Sequence, residues 1–109
     1  LIYQPHMFSR TKFLFEEFVK VFKDIPVDKI IITDIYPSRE VDTGLVNSKK
    51  LVQAIKKSLV PKSRNSVKMV PKNQILVEIE SKVKKGDILL FMGAGDIDKM
   101  ARELVSGPK

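Results

Sequence analysis

Apolar residues along the chain fall into two alternating kinds of segment. Runs with little polar interruption occur at residues 1–3, 29–34, 67–70 and 87–92. Such runs are typical of strands that are covered on both faces of a sheet. Segments in which apolar residues recur every three or four positions occur at residues 13–22, 47–59, 73–83 and 96–105. That spacing predicts amphipathic helices, and the order β-α-β-α-β-α-β-α predicts an α/β fold with a mainly parallel sheet and helices on both faces.

Polar residues stand where each predicted helix should begin. Their side chains can accept hydrogen bonds from the free N–H groups of a first helical turn. The candidate caps in chain order are Ser9 or Thr11, Asn47 or Ser48, Asn73, and Asp96. These positions support the helical segments that the apolar spacing predicts.

Length and composition restrict the class of protein further. The chain has 109 residues, of which 43% are hydrophobic, and this is ordinary for one globular domain. Since it has no cysteine, a disulfide scaffold, a thiolate zinc site and a cysteine nucleophile are excluded. No signal peptide and no long apolar span is evident, so we expect a cytoplasmic protein that does not enter a membrane. The chain starts inside a predicted strand, and we expect it to be a fragment of a longer protein.

Positive charge is concentrated in the middle of the chain. The net charge is +7, and residues 35–72 contain nine basic but only two acidic residues. A basic block can contact nucleic acid or an anionic substrate, but it is more often the solvated face of a lysine-rich helix. A small nucleic-acid-binding module is therefore an alternative, although aromatic side chains for base stacking are not interleaved there. A receiver-like signalling domain is a further alternative. Against it, the chain lacks the acidic pair that such domains carry near the end of the first strand.

Candidate chemical groups follow the predicted strands, where open parallel sheets bind ligands. His6, the only histidine, is a candidate general base or substrate contact, or it simply bonds to the backbone; alone it predicts no metal site. Ser9 and Arg10 lie where a helix begins, so free N–H groups and a guanidinium would suit a carboxylate or phosphate, with simple capping as the alternative.

Two further strand ends carry polar or flexible residues. Asp34, Tyr36 and Glu40 form a polar group after the second strand. Gly93 and Gly95 permit a tight turn and a close backbone approach after the last strand. Neither a complete dinucleotide-binding glycine motif nor a P-loop is present, so we expect no standard nucleotide-binding loop in this chain.

Three of these segments together resemble the Mur ligase family. Residues 3–11, Tyr-Gln-Pro-His-Met-Phe-Ser-Arg-Thr, resemble its F-Q-P-H-x-[YF]-[ST]-R-T motif. Residues 34–40, Asp-Ile-Tyr-Pro-Ser-Arg-Glu, resemble D-[IV]-Y-x-A-x-E, and residues 93–97 resemble G-A-G-D-I. The motifs occur in the family's order across nearly the whole chain, and within the family they are most similar to the ligases that act on L-alanine.

The resemblance implies a role in peptidoglycan biosynthesis. Family members have three domains, and residues 1–109 are similar to the C-terminal, amino-acid-binding domain, a Rossmann-like three-layer sandwich. The segment with a tyrosine-histidine-histidine-proline motif that usually opens that domain is not in the sequence. The implied reaction is the ATP-dependent joining of L-alanine to UDP-N-acetylmuramate, with ATP and Mg²⁺ held mainly by another domain of the same ligase. We expect the isolated chain to be inactive, to contain no metal ligands, and to have no nucleic-acid partner.

The resemblance also implies which residues face the substrate. No catalytic residue is expected in this chain. The implied substrate contacts are His6, Ser9, Arg10 and Tyr36, and Asp34, Glu40, Gly93 and Gly95 are expected to border the cleft. Many members have arginine after the motif histidine, where this chain has Met7. This difference leaves a related murein-peptide ligase as an alternative.

Overall fold

The computed structural model describes residues 1–42, 44, 46–59, 66–93 and 97–106. The strands are β1 (Ile2–Tyr3), β2 (Lys29–Ile32), β3 (Ser66–Met69) and β4 (Phe91–Met92). The α-helices are α1 (Phe8–Phe13), α2 (Phe15–Asp24), α3 (Ser48–Ser58), α4 (Ile75–Lys82) and α5 (Ile97–Ser106), and a 3₁₀ turn at Lys72–Gln74 leads into α4. No helix in these ranges is long and apolar enough to cross a bilayer.

The strands form one parallel sheet in the order β3-β2-β1-β4. Ile2 lies opposite Ile31 on one side and Phe91 on the other, so β1 is central. The chain builds the sheet outward from β1 through β2 to β3 and then crosses back to place β4 on the other side of β1. The predicted parallel α/β fold is confirmed.

Helices cover both faces of the sheet. One apolar cluster joins β2 to α2 and α3, through buried residues that include Ile30, Ile32, Phe22 and Leu51. A second cluster joins Ile2 to Ile75, Ile79 and Ile97 of α4 and α5, with Ile31 packed against it. Because adjacent residues of a strand point to opposite faces, Ile30 and Ile31 show that the clusters lie on opposite sides of the sheet. The predicted three-layer, Rossmann-like sandwich is thus confirmed.

The last strand differs from its prediction. The apolar run at residues 87–92 predicts a strand covered on both faces, but only Phe91–Met92 form β4, and Ile88 is 91% exposed. Among the described strands β4 lies at the edge and pairs with β1 alone. An apolar run does not reveal whether its strand is central or at an edge, and complete coverage was therefore the wrong expectation here.

The first helical segment is also different. It is divided at Leu14 into α1 and α2, and Phe13 is 87% exposed. Neither Ser9 nor Thr11 caps it, because α1 begins after Met7 without a side-chain cap. Thr11 lies inside the helix, and its hydroxyl donates to the Met7 carbonyl oxygen.

The remaining caps have mixed outcomes. Asn47 caps α3, since its Oδ1 accepts a hydrogen bond from the Lys50 N–H at 2.8 Å. Ser48 is buried, and its hydroxyl donates to the Thr33 carbonyl oxygen, which ties α3 to the end of β2. The Asn73 prediction is wrong, because this residue lies within the 3₁₀ turn that precedes α4. Asp96 lies outside the described residues.

Candidate functional site

Two loops run side by side where β1 and β2 end. His6 and Tyr36 form an isolated parallel bridge beyond the strands. The Met7 N–H donates to the Tyr36 carbonyl oxygen at 2.7 Å, and the Tyr36 N–H donates to the Pro5 carbonyl oxygen at 2.8 Å. The pairing of β1 with β2 therefore continues into the two loops, which brings residues about 30 positions apart in the sequence into one cluster.

His6 is held between an aromatic ring and a guanidinium. Its ring stacks on Tyr36, with centroids 5.6 Å apart and an angle of 17° between the planes. The Arg10 Nη1 lies 3.2 Å from the His6 Nδ1. Because a guanidinium can only donate, Nδ1 must accept, and this places the proton of the neutral ring on Nε2. The structure thus brings together three of the four predicted substrate contacts, and the Arg10 contact is consistent with the Nε2–H tautomer of His6.

Ser9, the fourth predicted contact, is bonded to a carboxylate of the same chain. Its N–H donates to Glu40 Oε1 at 3.0 Å. Hydrogen bonds from the Ser9 hydroxyl and then from the Ser9 and Phe8 N–H groups lower the pKa of Glu40, since they favour its ionised form. The expectation that the N–H groups at this helix start are free for a substrate anion is therefore wrong for Ser9, because Glu40 occupies its N–H group.

The backbone beside His6 has an unusual conformation. Met7 has φ 68° and ψ 137°, and Ser38 in the neighbouring loop has φ 58°. Positive φ is uncommon for residues other than glycine. The Met7 carbonyl oxygen accepts hydrogen bonds from the Thr11 N–H and the Thr11 hydroxyl. Sequence reasoning considered Thr11 only as a cap and missed this contact; no local pattern in the sequence indicates a strained Met7.

Asp34 lies apart from the His6 cluster. Its Oδ2 accepts a hydrogen bond from the Lys72 N–H at 3.0 Å, which joins the loop after β2 to the turn before α4. Asp34 also borders a cleft of about 370 Å³, and among the described residues no other predicted site residue lines it. The other lining residues are Phe8, Ile35, Asp42, Asn47, Ser48, Lys49, Met69 and Pro71.

Gly93 lies at the end of β4, against the loop that follows β1. A Cβ atom placed on Gly93 would lie 2.7 Å from Ile97 Cγ2 and 3.1 Å from Gln4 Cβ, so only glycine fits without displacement. Gln4 is 2% exposed, and its Oε1 is buried without a hydrogen-bond partner among the described residues. The close approach predicted for this glycine is thus to protein atoms. Gly95 lies outside the described residues.

Charged groups elsewhere have simpler settings. The lysines of α3, Lys49, Lys50, Lys56 and Lys57, are exposed, as expected of a solvated helix face. Within the described ranges no group of three histidine, aspartate or glutamate side chains could hold a metal ion.

Comparison with known proteins gives a consistent result. No family model matches the chain. The chain is 39% identical over 99 residues to a UDP-N-acetylmuramate–L-alanine ligase of Acetivibrio thermocellus, covering 91% of this chain and 20% of that protein. It is 43% identical over 105 residues to the ligase of the same name from Clostridium acetobutylicum, covering 96% of this chain and 22% of that protein. That of Aquifex aeolicus is 37% identical over 105 residues, covering 96% of this chain and 21% of that protein. The chain therefore spans about a fifth of the length of the curated relatives that it matches.

Proposed function

Because this chain belongs to the family of UDP-N-acetylmuramate–L-alanine ligases over the segment that it shares with them, we propose that it is the amino-acid-binding domain of such a ligase. In the proposed reaction ATP transfers its γ-phosphoryl group to the lactyl carboxylate of UDP-N-acetylmuramate, so that an acyl phosphate forms and ADP is released. The amine of L-alanine then attacks the acyl phosphate, so that an amide forms and inorganic phosphate and a proton are released. Peptidoglycan synthesis in the cytoplasm is the corresponding role.

The arrangement of His6, Arg10 and Tyr36 is the observation that carries this proposal. Arg10 uses one guanidinium nitrogen on His6, and its side chain is exposed, so the rest of the planar fork can meet a carboxylate with two parallel hydrogen bonds. Nε2–H of His6 is a second donor, directed by the Tyr36 stack and the Arg10 contact. These groups suit the carboxylate of an amino acid, and binding it there would hold the amine for attack.

Glu40 has a supporting role in this proposal. Its carboxylate neutralises part of the positive charge at the start of α1 and holds Ser9, which directly precedes Arg10. Ser9 is therefore a backbone anchor, and its N–H is not the group that would bind the substrate anion. Gly93, at the neighbouring strand end, lies against Gln4 in the loop that also carries His6.

ATP and Mg²⁺ would be bound by another part of the ligase. The described residues offer no metal-binding cluster, and the chain has no P-loop pattern, so these residues do not fit a magnesium–triphosphate site. We therefore assign no step involving the metal to this domain. Its own contribution would be to bind and orient L-alanine while the domains close over the reacting groups.

Arg10→Ala in the intact ligase tests the proposal. Losing the charged partner of a carboxylate in a closed, water-poor cleft should lower kcat/KM for L-alanine by about 2–4 kcal/mol, or roughly 30- to 900-fold. Arg10→Lys should recover only part of this, because an ammonium cannot reproduce the fork. The KM for ATP should change little.

Arg102→Ala is the matched control. Arg102 is an exposed arginine on α5 that pairs with Asp98 at 3.1 Å, in a different part of the fold. Its removal should leave the kinetics with L-alanine unchanged. Arg10→Ala with ordinary L-alanine kinetics would remove Arg10 from the site. Efficient use of a murein peptide in place of L-alanine would favour the peptide-ligase alternative.

A further inference from the structure

The Met7 peptide is the strained point of the candidate site. Met7 has φ 68°, where a Cβ atom is disfavoured, and it lies between His6 and the helix that carries Arg10. Any relaxation of this backbone would rotate the residues on either side relative to each other. A strained conformation persists only where the surrounding contacts hold it in place.

Two elements supply those contacts. From the loop after β2, the Tyr36 carbonyl oxygen accepts the Met7 N–H at 2.7 Å. From within α1, Thr11 donates twice to the Met7 carbonyl oxygen, through its N–H at 3.1 Å and its hydroxyl at 2.8 Å. The first of these bonds continues the pairing of the loops, whereas the hydroxyl bond depends on the side chain of one residue.

The Thr11 side chain is buried where it makes this contact. It is 0% exposed, so its hydroxyl is bonded to the Met7 carbonyl oxygen and not to water. It follows Arg10 directly, and the Met7 peptide follows His6 directly. The Thr11–Met7 bond therefore closes a short ring over residues 7–11, which includes Arg10 and directly follows His6.

We propose that Thr11 is a positioning residue, whose hydroxyl holds the strained Met7 backbone and thereby sets the geometry between His6 and Arg10. Its effect on catalysis rests on the function proposed above, but its effect on geometry does not. The two can be tested separately.

The competing explanation is an ordinary hydroxyl bond within a helix. Serine and threonine often donate to the carbonyl oxygen four residues earlier. Ser58 does this in α3, where its hydroxyl donates to the Ala54 carbonyl oxygen at 3.1 Å. Ser58→Ala is therefore a control that removes the same kind of bond far from His6.

The geometry is measured by NMR on the 109-residue chain at about pH 8, where an ordinary imidazole is neutral. The readouts are the cross-relaxation between the His6 ring and the Arg10 side chain, and the ring-current shift that Tyr36 causes on His6. Thr11→Val keeps the shape but removes the hydroxyl, and it should reduce the His6–Arg10 cross-relaxation at least twofold. Thr11→Ser should retain it, and so should Ser58→Ala.

Met7→Gly tests the role of strain. Glycine adopts positive φ without a Cβ penalty, so the backbone needs less support there. In the Met7→Gly background, Thr11→Val should then reduce the His6–Arg10 cross-relaxation much less than it does in the original chain. An equal loss in both backgrounds, or no loss in either, would overturn the proposal. If Thr11→Val alone folds poorly, the Met7→Gly background decides: Thr11→Val should leave the cross-relaxation there close to that of Met7→Gly alone, and a twofold loss would overturn the proposal.

Kinetics of the intact ligase separate this inference from the proposed function. If both are right, Thr11→Val should lower kcat/KM for L-alanine at least 10-fold with an unchanged KM for ATP, and Thr11→Ser should restore most of it. If the NMR changes occur but L-alanine kinetics do not change, Thr11 still positions the pair and the proposed substrate role of the pair is wrong. Altered kinetics with intact His6–Arg10 geometry would refute positioning by Thr11.

Discussion

Replacing Gly93 with alanine tests the packing between the end of β4 and the loop after β1. The added methyl would lie 2.7 Å from Ile97 Cγ2, 3.1 Å from Gln4 Cβ and 3.4 Å from the Gln4 carbonyl oxygen. Ile97 is 1% exposed, and its Cγ2 is fixed to a branched Cβ, so it cannot swing away. The backbone must move instead, and overpacking of this kind costs about 1–3 kcal/mol.

The free energy of unfolding should fall by about 1.5 kcal/mol in total, since alanine also restricts the unfolded chain and thereby offsets roughly 0.5 kcal/mol of the overpacking cost. Urea unfolding of the 109-residue chain measures it. With a denaturant dependence of about 1–3 kcal/mol/M, the midpoint should fall by roughly 1 M. Gly86→Ala is the control for backbone strain without a clash, because Gly86 has φ 95° and nothing within 4 Å of the added methyl.

A double-mutant cycle identifies the atom responsible. Ile97→Ala removes Cγ2 and leaves room for the new methyl, so the cost of Gly93→Ala should shrink by about 1–2 kcal/mol in that background. Ile97→Val retains both branches at Cβ, and the cost should persist there. Additive free energies in the Ile97→Ala background, or a Gly93→Ala cost below about 0.5 kcal/mol, would refute the steric explanation.

Two further predictions concern other contacts. Asn47→Ala should lower the free energy of unfolding by about 1 kcal/mol, because the Lys50 N–H loses its hydrogen-bond acceptor. Asn47→Asp keeps an acceptor oxygen and should therefore keep most of this stability in urea unfolding. Equal losses in both variants would contradict the capping role. Hydrogen bonds from Ser9 lower the pKa of Glu40 in the folded chain, so the ionised Glu40 carboxylate should stabilise the fold above its ordinary pKa of about 4.3, and this stabilisation should be lost as the pH falls through the lowered pKa. The amide resonance of Ser9 should shift over the same pH range. The same shift in a Glu40→Gln chain would disprove the assignment.

Local periodicity was sufficient to predict the architecture. The spacing of apolar residues in 47–59 corresponds to α3, and Asn47 caps it as expected, because both signals act within one or two helical turns. The uninterrupted apolar run that contains Ile30 and Ile31 correctly indicated a strand with a helix layer on each side. These features depend on neighbours close in sequence or on burial alone.

Features that depend on distant parts of the chain could not be predicted in this way. Glu40 reaches the Ser9 N–H from 31 positions away, so the start of α1 looked free in the sequence. The exposure of Ile88 depends on the position of β4 at the edge of the described sheet. The strain at Met7 depends on the pairing of its N–H with Tyr36 in another loop. Predicting any of these three features would have required knowledge of the strand order.

The loop after β1 contacts β4 on one side and the loop after β2 on the other, although its residues belong to a single sequence motif. Gln4 packs against Gly93 on the β4 side, whereas His6 pairs with Tyr36 on the β2 side. Because only Pro5 separates Gln4 from His6, a backbone shift forced at Gly93 should also disturb His6, while a change at the start of α3 such as Asn47→Ala should affect stability alone. The His6–Arg10 contact should therefore respond to Gly93→Ala and not to Asn47→Ala. This difference identifies the β1 loop as the link between the packing of the sheet and the geometry of the candidate site.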